Sequence, residues 1–312
     1  MGRLANLGSS PLIREYAQGI ARSTITPVGG FLAPTVNVAA AIGRFKRYTE
    51  KNLFRLPDTI RPAQGKAVRV SWTATDANYN CSPNAVDVAF DEQEIAESAE
   101  SGENAMREAA DMAASIGTLA HERDVITKAL ASLGAGTNVD LTTADPIDAI
   151  DEQLDTIALN AAGGSITNLR VLMGPTAWRL IKNHAKVRSR FVAAGSRAIP
   201  NISTVELSGL LTGNPEVMVA RAAVDSTAEG QTASMSYLLT TGVIIFAASP
   251  NPNRRDPSFM KTFRLAGSWL GPRTYTSEDG RSEVAGFDWS HDVQVTNSAG
   301  GVRLNMVAAT SP

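Results

Sequence analysis

The chain holds a single cysteine, Cys81, in 312 residues, so no disulfide can form within it and no cysteine cage for zinc is available. That usage suits a reducing compartment such as a bacterial cytosol. Histidine is almost as scarce, with His121, His184 and His291 on three separate stretches. No run of about 18 apolar residues is present to cross a bilayer as a helix. The nearest approaches fail, because residues 28–43 carry Pro34 and Asn37 and residues 237–248 are short and broken by threonines. Residues 1–20 lack the continuous apolar centre of a secretory signal, and a soluble protein with no membrane partner is expected. The common catalytic signatures are missing as well: no GxSxG elbow, no Walker loop, no HExxH pair, and no GxGxxG after a strand. Asp288, His291 and Asp292 are the one spot where carboxylates and imidazole come close in sequence, and a turn entering a strand explains them equally well. No catalytic residue, metal ligand or cofactor is assigned, and the expectation is a protein that is not an enzyme.

What is present is charge in blocks. The formal net charge of -2 conceals a basic stretch at residues 44–69, an acidic one at 87–124, and a second acidic one at 140–155 that contains no base. Such segregation lets neighbouring copies match plus to minus, although solvated faces account for any single block. Residues 168–191, NLRVLMGPTAWRLIKNHAKVRSRF, carry the strongest local signal. Leu169, Val171, Leu172 and Met173 read as a covered strand, and Gly174-Pro175 turns it into a helix over 176–191. Trp178, Ile181 and Ala185 mark the buried stripe of that helix, and Arg179, Lys182, Lys186 and Arg190 mark a basic one beside it. Four cations on one face suit either an acidic neighbouring subunit or nucleic-acid phosphates. The acidic helix over 143–158 and the acidic spar before it are available counterparts.

Residues 1–42 are rich in Gly, Ser and Pro and read as an arm that lies across another surface. Val68, Val70 and Trp72, then Val86, Val88 and Phe90, alternate with smaller or polar residues and predict two strands with one apolar face. The link at 75–84, TDANYNCSPN, predicts a long projecting loop with Cys81 at its tip. A two-stranded ribbon is marginal alone, so a neighbouring molecule is the expected cover. Residues 103–133 predict an Ala-rich helix roughly 45 Å long, closed by Gly134 and Gly136, with residues 121–124 as a solvated or ion-paired face. Strands are expected at 216–224 and 237–248, then at 259–265, 273–277, 283–288, 292–295 and 302–307.

The order of these parts, with the 68–90 loop, the 103–133 helix and the passage VLMGPTAWRLIKNHAKVRSRF, resembles the major capsid protein of tailed bacteriophages, the Hong Kong phage-type fold that encapsulin shells share. The resemblance implies an α+β fold with an N-terminal arm (1–42), an extended β-hairpin loop (43–97), a peripheral domain with a long spine helix (98–140), a mixed α/β axial domain (141–250) and C-terminal strands returning to the peripheral domain (251–312). It implies a structural subunit of an icosahedral capsid, self-assembling through hexamers and pentamers around packaged double-stranded DNA. Scaffolding, portal or decoration proteins would be its further partners. The location implied is the virion, after assembly in the cytoplasm of a host bacterium. An encapsulin-like compartment shell, a soluble DNA-binding protein using the 176–191 helix and an α/β enzyme without a familiar motif stand as alternatives.

Overall fold

The computed structural model describes residues 28–47, 59–61, 63, 65–67, 69, 75–91, 93, 102–161, 167–193, 201–227, 231–254, 256–278 and 280–308. In chain order its elements are α1 (Val28–Leu32), β1 (Thr35–Val38), β2 (Ile42–Arg47), β3 (Thr75–Asn80), β4 (Ser82–Asp91), α2 (Gly102–Leu133), β5 (Thr137–Asp140), α3 (Pro146–Ala161), β6 (Leu169–Met173), α4 (Pro175–Asn183), α5 (Ala185–Ala193) and α6 (Thr204–Ser208). Then come β7 (Glu216–Val219), β8 (Ala223–Asp225), β9 (Met235–Tyr237), β10 (Gly242–Ala247), β11 (Met260–Leu265), β12 (Gly271–Thr276), β13 (Ser282–Val295) and β14 (Gly301–Val307).

Two sheets and one helix organise the chain. The first sheet runs β1-β11-β13-β12, with β4 also hydrogen-bonded to β13, and the second runs β5-β14-β10-β6-β7. Strands β6 and β10 are buried on both faces, which is why they read as continuous apolar runs. Val171, Met173, Val243 and Ile245 meet Ile147, Ile150, Leu154, Trp178 and Ile181 from α3 and α4 on one face. Leu172, Ile244 and Phe246 meet Val125, Ile126 and Ala129 of α2, together with α1, on the other. The N-terminal half of α2 lies under the first sheet, where Ala109, Ala110, Ala113 and Ala114 admit Phe287 and Trp289 at close range. One 32-residue helix thus joins both cores, and Gly134, at φ +64, ends it.

Several expectations need correction. Residues 75–84 are not a projecting loop: β3 pairs with β2, and β4 pairs with β13 from Ser82↔His291 to Asp91↔Ser282. The polar letters of 75–80 hide a period of two, in which Tyr79 stacks on Phe263 at 4.6 Å while Asp76, Asn78 and Asn80 point outward. Cys81 is therefore buried, its Sγ 3.5 Å from the Phe263 carbonyl, and burial pushes its thiol pKa up. Val86, Val88 and Phe90 do alternate inward, partly buried against the cluster that α2 forms with Phe287 and Trp289. Val68, Val70 and Trp72 lie outside the described residues.

The 176–191 helix is broken at His184, whose ψ of 134 is extended, so α4 and α5 are separate. The break resets the helical phase, exposing Ala185 and burying Val187. The expected 216–224 strand is two short strands, β7 and β8, and the expected 237–248 strand begins only at Gly242. Residues 283–288 and 292–295 form one 14-residue strand, because buried Trp289 and His291 carry the alternation through the segment expected to turn. His121 and Glu122, expected on a solvated or ion-paired face, are 5% and 1% exposed.

Candidate assembly surface

The basic helices stand on a tight corner. Gly174 ends β6 and caps α4 with its backbone alone, its N–H donating to the Gly242 carbonyl at 2.9 Å. A Cβ at Gly174 would lie 2.6 Å from the Thr240 carbonyl carbon, so only glycine fits there. Ala177, Trp178 and Ile181 then face the second sheet, which turns Arg179 outward.

The sequence-assigned cations divide into two groups. Arg190 Nη2 donates to Asp145 Oδ2 and Asp148 Oδ1, both at 2.9 Å, and the bond to Asp148 is the main reason its guanidinium pKa rises. Lys186 Nζ donates to the Thr143 carbonyl at 3.3 Å. Both are thus turned toward the start of α3, which Asp145 also caps through the Ile147 N–H at 3.0 Å. Lys182 Nζ reaches Asn201 Oδ1 at 3.4 Å. Arg179 and Arg188 are exposed, with no ion-pair partner among the described residues. Arg179 borders a cleft of about 420 Å³ with Leu141, Thr142, Leu180, Asn183, His184 and Ala308. On the outer side of α3, Glu152 and Asp155 are exposed beside Leu159, itself 71% exposed.

Exposed apolar side chains, which sequence reading missed, lie elsewhere. Met112 and Ile116 sit one turn apart on the outside of α2, and Met235 and Tyr237 on β9. The Asp288, His291 and Asp292 group does not converge. His291 turns to Asp124 of α2 at 3.3 Å, Asp292 pairs with Lys128 at 3.1 Å, and Asp288 pairs with Arg273 at 3.4 Å. The bond from His291 is the first cause of the lowered Asp124 pKa. Among the described residues no group of three His, Cys, Asp or Glu could hold a metal ion.

No family model matches the chain, and no curated protein does. Solved structures do match. A phage-related protein of Bordetella bronchiseptica RB50 is 21% identical, with 95% of this chain and 97% of that chain covered and a TM-score of 0.72. The mature capsid of bacteriophage PhiM1 matches at 12% identity over 90% of this chain and 86% of that chain, TM-score 0.57. A virus-like particle from Pyrococcus furiosus matches at 14% identity over 94% and 98%, TM-score 0.54. Over most of its length the chain has the Hong Kong phage-type major capsid fold.

Proposed function

We propose that this chain is a structural subunit of an icosahedral bacteriophage capsid, self-assembling in many copies to enclose double-stranded DNA and catalysing nothing. The observation that carries this reading is the likeness, over 90% of this chain, to the mature capsid of a bacteriophage. Hexamers and pentamers of this chain, a virion location after assembly in the host cytoplasm, and scaffolding, portal or decoration partners all follow from the same reading. The divisions at residues 42, 97, 140 and 250 belong to it as well. One refinement is needed, since residues 28–38 lie on the chain's own spine helix and first sheet, so that part of the proposed arm does not reach outward.

Closed symmetric assembly multiplies modest contacts, so a few exposed cations and apolar side chains suffice per copy. Arg179, exposed, and Lys182, half-buried, are the members of the basic face not turned toward α3, and they meet an acidic neighbour such as Glu152 and Asp155, with DNA phosphates as the second partner. The reading is tested by electron microscopy and sedimentation of the protein expressed alone and with its neighbouring genes. Shell particles are expected, and a monomer or small oligomer under every condition would sink it. Particles that never contain DNA would favour the compartment-shell alternative. Reversing Arg179, Lys182 and Lys186 to Glu together should lower particle yield or DNA content, and unchanged DNA-filled particles would remove the role of this face.

A further inference from the structure

Helix α1 has only five residues, too few to persist without tertiary contacts. It fills the place where α2 and both sheets meet, with Val28, Phe31 and Leu32 buried against Val125, Ile126, Leu172, Phe246 and Met260. Three polar ties hold it. The Gly29 N–H donates to both oxygens of Glu122, at 2.7 and 2.8 Å. The Thr262 hydroxyl donates to the Ala33 carbonyl at 3.1 Å and lies 3.1 Å from His121 Nε2. Arg170 Nη1 donates to the Phe31 carbonyl at 3.3 Å, with its guanidinium 5.0 Å from the Phe31 ring centroid. The fit around Gly29 is tight, since a Cβ there would lie 2.9 Å from Glu122 Oε1 and 3.0 Å from His121 Nδ1.

Glu122 has no ion-pair partner among the described residues; its chain neighbour Arg123 is exposed, and the other charged groups on the elements around it are engaged elsewhere. On α2, Asp124 pairs with His291, and Lys128 with Asp292 of β13. On β11, Lys261 pairs with Asp256, and Arg264 lies 3.8 Å over the Trp269 ring. On β6, Arg170 pairs with Glu216. His121 stays uncharged, its pKa pushed down to about 3 by burial first and then by His291 and Arg264.

We infer that Glu122 is a proton-controlled latch on α1, closed when its carboxyl carries a proton and loosened when it ionises without a counter-ion. Burial pushes the Glu122 carboxyl from 4.5 up to about 7, against the opposing pull of the Gly29 and Val28 N–H groups. A docked state that binds the proton more tightly is favoured by acid. Between those two pH values the docking equilibrium of α1 shifts toward release by roughly 300-fold as pH rises.

Hydrogen exchange on the full-length protein from pH 5 to 8.5, corrected for intrinsic chemical rates, tests this at the amides of residues 29–33. Protection should fall as pH rises toward and past 7 in the native chain and stay high and level in Glu122→Gln. Gly29→Ala should lose protection there at every pH while the amides of β10 keep theirs. A level native profile, or a slope that survives in Glu122→Gln, would overturn the latch. So would a slope abolished by His291→Asn, which would assign the proton to the histidine pair. The readout needs only the single chain, so it stands or falls separately from shell assembly.

Discussion

Lys261 is wholly buried in the first sheet, where its ammonium lies 3.0 Å from Asp256 Oδ2 and donates to the Asp256 carbonyl at 2.6 Å. Burial lowers its pKa and the Asp256 charge pulls it back up. Truncation to alanine strands the Asp256 carboxylate, so Lys261→Ala should cost about 3–5 kcal/mol in urea unfolding. A loss under about 1 kcal/mol would mean that the Asn253 and Ser258 N–H donors to Asp256 suffice. At Glu122 the sign runs opposite to that of an ordinary carboxylate. Its folded pKa is raised, so its contribution is full below pH 4.5 and is lost as pH rises to about 7, a change of about 3 kcal/mol. Asp124, whose pKa is lowered, loses its contribution as pH falls, and the difference between native and Glu122→Gln curves isolates the first effect. That difference should be near zero at pH 4 and favour Gln at pH 8. None of these roles was legible beforehand, because His121-Glu122-Arg123-Asp124 has the letters of a solvated turn of helix and only its neighbours in space bury half of it.

Element by element, legibility followed how many faces a segment buries. Strands β6 and β10 showed themselves because burial on both sides leaves no polar letters. Strand β3 stayed hidden because only Ala77 and Tyr79 turn inward. The basic helix was legible as helix, but its break was not, since His184 has no helix-breaking chemistry and is held instead by its ring nitrogen, 3.0 Å from the Leu141 carbonyl. Within α2, Gly117 shows what packing permits. An added Cβ would meet Leu270 and Trp289 at 3.4 and 3.7 Å, which is ordinary contact. Gly117→Ala should therefore stabilise the protein by about 0.5–1 kcal/mol through helix propensity, read as a higher Tm. Ala113→Leu, pressed against Phe287 and Trp289, should cost about 1–3 kcal/mol. If the two substitutions had equal effect, the close approach of α2 to the first sheet would not be what its alanines provide.

For the whole molecule, the exposed Met112 and Ile116 on the spine helix separate folding from assembly. Replacing both with lysine should leave subunit stability within about 0.5 kcal/mol, as for surface positions generally, while lowering the yield of particles by sedimentation. Equal yields would show that this face meets solvent in the shell. Salt should act in the other direction on the basic face, because raising ionic strength from about 0.1 to 1 M shortens the screening length from about 10 to 3 Å. Assembly that depends on Arg179 and Lys182 should weaken, and assembly that rests on apolar contacts should not. The sequence by itself determined the order of the parts, the Ala-rich spine, the covered strands of the second sheet and the lack of a familiar catalytic motif, since periodicity and composition are local properties of the chain. Only the tertiary structure decided that Arg190 is matched within its own subunit, that Cys81 is buried, and that the inner face of β4 packs on its own helix. Each of those depends on which distant segments meet, and a one-dimensional pattern records that a face must be buried without recording against what.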